Sequence, residues 1–275
     1  MEPRSGLHRQ AALFGVAVLG IGLGTAAAAA IVGGWVTEPY GWIPLAAAVI
    51  VILAGGGVRS RAAWSGFAIR RAGLSAWAPA IAIPAVVLPA GYAIAVVTGN
   101  AQLGLGSTSP LFFAAFTAAI IGAASLEAIG EELGWRGYLL PRVADLGRVR
   151  AGLVTGAVWV GWHVPLIYIA GAYHGGAGPL FILPFGITIM AMGFIANELR
   201  MASGSSWPAV VFHGAHNGVW FQLSALTVGS TGLLAGIGDE AGVVPMTLYV
   251  LIAVWIVLRR PAWPAGSVAA EGVSL

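Results

Sequence analysis

The residues with chemical potential lie in three short stretches. Glu127, Glu131, Glu132 and Arg136 fall within SLEAIGEELGWRGYLLPR, His163 within VWVGWHVPL, and His213, His216 and Asn217 within VFHGAHNGVW. Each stretch is embedded in apolar sequence. There an ionisable side chain costs at least ~2.5 kcal/mol unless it is paired, faces a cavity or does chemistry. Glu132 and Arg136 are four apart with the glutamate first, the favourable order for a helical ion pair, so they can neutralise one another. Glu131, turned about 100° from Glu132, is left to face elsewhere. His213 and Asn217 are also four apart and share a helix face, whereas His216 turns to the other side of His213 and is read as hydrogen-bonding a neighbouring helix. Glu127, one turn from Glu131, is read as a protonated, hydrogen-bonded neighbour.

The chemistry open to this set is narrow. A carboxylate in a low-dielectric site is suited to take a proton from water near neutral pH. One imidazole can orient that water, and a second imidazole with an amide N–H can donate to a developing oxyanion. Two histidines and a glutamate could equally hold zinc with an open fourth position. A buried histidine by itself more often joins helices than catalyses, and spacing leaves open whether the site moves protons or cuts bonds.

The elements that must position these groups are membrane helices. Hydrophobic residues make up 59% of the 275 and charged residues 8%, with mean hydropathy +0.89, far from the balance of a soluble domain. The chain contains neither cysteine nor lysine, which excludes disulfides, thiolate chemistry and a Ser-Lys dyad. Cutting at charges and Gly/Pro-rich breaks gives eight apolar segments, near 11–33, 42–57, 77–98, 111–140, 151–171, 179–199, 206–228 and 243–258. The second and eighth are short for spans. The first runs on too far for a cleaved signal peptide. The segment RSRAAWSGFAIRRAGLSAW fits either an interfacial helix or a basic loop with aromatic anchors. The expected fold is therefore all-α and polytopic, with about eight transmembrane helices. It divides into helices 1 to 3 with a basic loop (1–110), a core of helices 4 to 7 (111–230) and a final helix with a short tail (231–275).

Topology follows from the arginines, twelve of which fall in loops of one parity while the opposite loops hold Glu38, His174, Asp239 and Glu240. The positive-inside rule then places both termini in the cytoplasm, in the plasma membrane. Scattered positive charge of this kind is topogenic and does not point to nucleic acid. Arg142, Arg150 and Arg200 mark cytoplasmic ends, and Glu131, His163 and His213 lie 11, 13 and 13 residues from them. At 1.5 Å per residue all three sit about 16 to 20 Å deep, at one level.

These residues resemble a known family, the CPBP intramembrane proteases, which includes the type II CAAX prenyl endopeptidases and bacteriocin-processing or immunity proteins. Glu-Glu-x-x-x-Arg matches Glu131, Glu132 and Arg136; an aromatic with x-x-x-His matches Trp159 and His163, where phenylalanine is usual; His-x-x-x-Asn matches His213 and Asn217. The resemblance covers about Leu111 to Trp220. It implies an eight-helix fold with a cavity open to the cytoplasm and an intramembrane endopeptidase acting on a membrane-associated substrate, C-terminal CAAX-like proteins being one class, although which peptide it takes does not carry over. It also implies roles: Glu131 activating water, His163 assisting, His213 and Asn217 supporting the oxyanion, Glu132 and Arg136 holding the geometry. Both metallo and metal-free mechanisms have been described for the family. No cofactor is required by this reading, although Glu131, His163 and His213 could hold zinc. The competing readings are a non-proteolytic immunity or scaffold protein of the same fold and a proton-coupled transporter. The absence of an inverted repeat argues against the transporter.

Overall fold

The computed structural model describes residues 4–33, 39–104, 109–171, 179–261 and 263. Among the described residues, eight helices of twelve residues or more run through it: α1 (Arg4–Val32), α2 (Ile43–Ala54), α3 (Leu74–Val97), α4 (Pro110–Glu132), α5 (Arg148–Tyr168), α6 (Pro179–Ser203), α7 (Trp207–Leu226) and α8 (Val243–Arg259). Among the described residues, five helical stretches are long and apolar enough to cross a membrane: Ser5–Val32, Leu74–Val97, Leu111–Leu146, Arg148–Tyr168 and Phe181–Ser203. Tyr40–Ala54 and α8 are apolar but shorter. Such helices carry large apolar side chains on both faces. On α1, Phe14 and Val18 are fully buried while Val16 and Ile31 are 73% and 83% exposed, the pattern of a helix with protein on one side and lipid on the other. The protein is an integral membrane protein with an all-α body.

Local chemistry explains the joints. Ser109 caps α4 by accepting the Phe112 N–H, with Pro110 at the first turn. Pro79, Pro84 and Pro89 lie inside α3 without ending it, as membrane helices allow. The segment expected to run unbroken from 111 to 140 instead changes winding: α4 passes at Leu133–Leu139 into a π-helix, then into short helices at Leu140–Val143 and Ala144–Leu146. All seven residues of the π stretch are buried. Two glycines in LGWRGYL lower α-helical preference, and the wider winding turns bulky Trp135 and charged Arg136 inward together.

The loops differ from expectation in two places. Ala101–Leu103 (β1) pairs antiparallel with Thr227–Ser230 (β2), joining the ends of α3 and α7. Strands this short escaped notice because no alternating pattern is visible in three or four residues. The basic 59–73 region holds a five-residue helix, Arg61–Ser65, before α3 begins at Leu74, and the chain between them is tied to the α6–α7 turn. There Ser206 Oγ donates to Phe67 O at 2.8 Å and Ser205 Oγ to Arg70 O at 2.6 Å. Glu38, His174, most of the glycine-rich 173–180 segment and the 264–275 tail lie outside the described residues.

The tightest packing surrounds the polar stretches. Gly214 and Gly218 on α7, four apart, lie against the backbone of α4: a Cβ at Gly218 would sit 2.9 Å from Ile121 Cα, and one at Gly214 would enter Ser125. This small-xxx-small contact is the usual way for membrane helices to approach closely, and it draws His213 and Asn217, each one residue earlier, toward α4. Gly130 and Gly134 do the same for α2, where a Cβ would fall 2.7 Å from Trp42 Cα and 2.7 Å from the Pro44 carbonyl carbon.

Candidate active site

Trp159 on α5 lies at the centre of the polar residues. Its indole N–H donates to Glu131 Oε2 at 2.8 Å, its ring lies 4.5 Å beneath the Arg136 guanidinium, and its edge meets the His213 imidazole at 5.3 Å. Its carbonyl oxygen accepts from His163 Nδ1 at 3.0 Å, one turn later. A phenylalanine could supply the ring contacts but not the N–H. The sequence signals an aromatic residue at this position, and its hydrogen-bonding role becomes visible only once α4 and α5 are side by side.

Glu131 and Glu132 point to different partners, as their 100° separation requires. Glu132 is fully buried and its Oε1 accepts from Arg136 Nη1 at 2.8 Å and from His213 Nδ1 at 3.0 Å. Glu132 Oε2 has no hydrogen-bond donor among the described residues. Arg136 is further held by Asn197 Oδ1 at 3.2 Å and Gly193 O at 3.3 Å, and Asn197 in turn donates to Thr155 Oγ1 at 2.9 Å. Sequence reading missed Asn197. Its only signal is an amide in the apolar run FIANELR.

Glu131 is partly accessible, and besides Trp159 it takes a weak contact from Trp135 Nε1 at 3.4 Å within its own helix. Its charge acts on both His163 and His213. Asn217, one turn beyond His213, is partly buried and makes no hydrogen bond among the described residues, so register alone associates it with the others. Glu127 is exposed rather than hydrogen-bonded inside, because α4 presents that position away from its neighbours. His216 turns away from the site, sharing a hydrogen bond with Tyr249 Oη at 2.9 Å on α8.

The tautomers follow from the partners. A carbonyl only accepts, so His163 carries its proton on Nδ1. Glu132 Oε1, which accepts from Arg136, also accepts from His213, so His213 carries a proton on Nδ1. Protonated at Nε2 as well, His213 becomes a second donor. Among the described residues no three His, Asp or Glu side chains converge closely enough to hold a metal ion as arranged.

Arg142 and Arg200, taken as markers of the cytoplasmic ends, are themselves buried. Arg142 stacks 3.4 Å over Tyr138 and donates to Gln10 Oε1 at 2.8 Å, and Arg200 Nη2 donates to Gly66 O at 3.4 Å. The π winding also makes the distance from Glu131 to Arg142 unlike that along an α-helix. The common level of the three stretches is instead carried by the contacts through Trp159.

Residues 109–219 match the family described as type II CAAX prenyl endopeptidase Rce1-like. A curated relative, CAAX prenyl protease 2 of Methanococcus maripaludis, is 31% identical over 93 residues, which cover 32% of this chain and 34% of the relative. The chain thus spans about a third of the length of the curated relative it matches. The matched segment includes Glu131, Glu132, Arg136, Trp159, His163, His213 and Asn217, and over it the chain is similar to the Rce1-like type II CAAX prenyl endopeptidases.

Proposed function

We propose that the protein is an intramembrane endopeptidase that cleaves membrane-anchored substrates, C-terminal CAAX-like proteins among them, with water activated by Glu131. The observation that carries this reading is a partly accessible carboxylate, oriented by the Trp159 N–H, beside a buried His213–Glu132–Arg136 chain. In this mechanism Glu131 takes a proton from a water that His163 Nε2 helps to orient. The resulting hydroxide attacks the scissile carbonyl carbon. The oxyanion accepts hydrogen bonds from His213 Nε2–H and the Asn217 amide, and Glu131 returns the proton to the leaving nitrogen as the C–N bond breaks. Glu132, accepting from Nδ1–H, supports the doubly protonated His213 ring that the Nε2–H donor requires, and Arg136 makes the Glu132 charge tolerable within the membrane.

The wider reading is an eight-span protein with both termini in the cytoplasm of a plasma-membrane topology, the core being residues 111–230. Arginines at the ends of α5 and α8 support that orientation through the positive-inside rule. Purified protein should cleave one of a panel of membrane-anchored and C-terminally prenylated peptides, and His163→Ala and His213→Ala should each lower the rate by about 10²- to 10⁴-fold. Full activity in both variants would refute the assignment. A chelator in the same assay should leave the rate unchanged, and loss of activity restored by zinc would replace this mechanism with a metal-dependent one. No cleavage of any substrate by wild type would favour the non-proteolytic reading.

A further inference from the structure

Away from Trp159, the opposite face of α5 forms a groove with α6 and α8. The groove encloses about 830 Å³, and its walls include Leu153, Ala157, Leu183, Ile187, Val254 and Leu258, with no charged side chain. On α5 the lining runs from Val149 to Gly161. Twelve residues at 1.5 Å each give about 18 Å, close to one leaflet of a ~30 Å hydrocarbon core. At one end the groove adjoins a basic pocket of about 390 Å³ that contains Arg148, Arg150 and Arg260 and shares Val149 and Val257 with it.

The arginines are not equivalent. Arg148 is committed: it pairs with Glu198 at 3.2 Å and donates to the carbonyl of Arg260 at 2.9 Å. Arg150 and Arg260 are exposed, and neither side chain has a hydrogen-bond or ion-pair partner among the described residues. Both stand at the amino-terminal end of α5, whose first amides and dipole also favour an anion.

We propose that this groove and its arginines form a binding site for an anionic phospholipid. One acyl chain lies along α5 between α6 and α8, and the phosphate meets Arg150 and Arg260. Length, apolar lining and charge at a single end match the parts of such a lipid in that order. A neutral apolar ligand would not engage the two arginines, and a free anion would not engage the groove. Basic pockets between membrane helices are known to select anionic head groups.

The test is native mass spectrometry of the full-length protein, delipidated and then exposed to equimolar dioleoyl phosphatidylglycerol and dioleoyl phosphatidylcholine. Wild type should retain the phosphatidylglycerol with a preference of roughly tenfold. Arg150→Ala/Arg260→Ala should reduce the preference to near parity. Ala157→Phe, which places a ring in the groove from an exposed position, should lower retention of both lipids. Thermal unfolding in detergent verifies that both variants fold. Equal retention by wild type, or full preference in the double variant, would overturn the proposal. So would displacement of the lipid by a prenylated peptide, or loss of a dimer in Ala157→Phe, since these assign the groove to substrate or to a second copy.

Discussion

Two histidines three residues apart on α7 anchor two buried polar clusters of opposite character. His213 belongs to the layer of Trp159, Glu131, Glu132 and Arg136, while His216 faces Tyr249 on α8 and Glu240, whose Oε2 lies 3.9 Å from His216 Nε2. Around Asp239 the polar groups bind each other, while Glu240 Oε1 is buried without a hydrogen-bond partner among the described residues. Asp239 Oδ1 accepts from Tyr92 Oη at 3.1 Å, Trp220 Nε1 at 2.5 Å and the Glu240 N–H at 2.9 Å, and Asp239, Glu240, Tyr92 and Tyr249 are all buried. Those bonds fasten the loop before α8 to α3 and α7. Around His213, by contrast, Glu131 stays partly accessible and Asn217 uncommitted. Polar groups inside a membrane protein thus divide by what they leave available: a cluster closed to solvent holds helices together, and one that keeps a carboxylate within reach of solvent is equipped for chemistry.

The comparison can be broken most severely at Glu132, which has both a structural and a chemical part. Glu132→Ala leaves the Arg136 guanidinium buried without its carboxylate. It should cost about 3–5 kcal/mol, read as a large fall in thermal unfolding temperature, and abolish cleavage. An unaltered unfolding temperature would show that the ion pair is not what makes the segment tolerable.

Trp159→Phe sharpens the functional side. It keeps an aromatic ring beside Arg136 and His213 and removes only the N–H to Glu131. The rate should fall about tenfold, the effect of losing one hydrogen bond to a charged group, and its pH profile should move, with little change in stability. A Trp159→Phe enzyme with wild-type rate and profile would reduce Trp159 to packing.

The smallest effect is expected in the cluster closed to solvent. Burial, reinforced by the neighbouring Asp239 charge, holds the Glu240 carboxyl well above the ordinary carboxylate range. The folded protein therefore binds this proton more tightly than the unfolded chain, and its contribution to stability, complete at low pH, is lost as pH rises from the carboxylate range toward the folded value. Glu240→Gln should match wild type at pH 5 and become relatively more stable by pH 9 in thermal unfolding. His216 and Asp239 face this group, so the difference should be read against the same pH series in His216→Ala. A constant offset between Glu240→Gln and wild type across that range would show that the carboxyl does not titrate with unfolding.

Much of this division was legible in the sequence. The 59% apolar composition fixes the membrane class, and the i,i+4 spacing correctly pairs Glu132 with Arg136. The same spacing could not show that Glu132 also takes His213, because that bond joins residues 81 apart. Periodicity assumes α winding, so it hid the π segment that buries Trp135 and Arg136 together. Gly214 and Gly218 were present as letters, but their purpose depends on α4 being the partner. Glu127 was misjudged because a carboxylate on an apolar helix was assumed to face inward, whereas its side of α4 is open.

The central claim is that Glu131 activates the attacking water, and the most direct measurement is single-turnover cleavage of a prenylated peptide by Glu131→Gln in lipid nanodiscs. Glutamine keeps the shape and can still accept from Trp159 but cannot take the proton. The account predicts a rate at least about 10³-fold below wild type with an unchanged unfolding temperature. A Glu131→Gln enzyme that cleaves at the wild-type rate would contradict it.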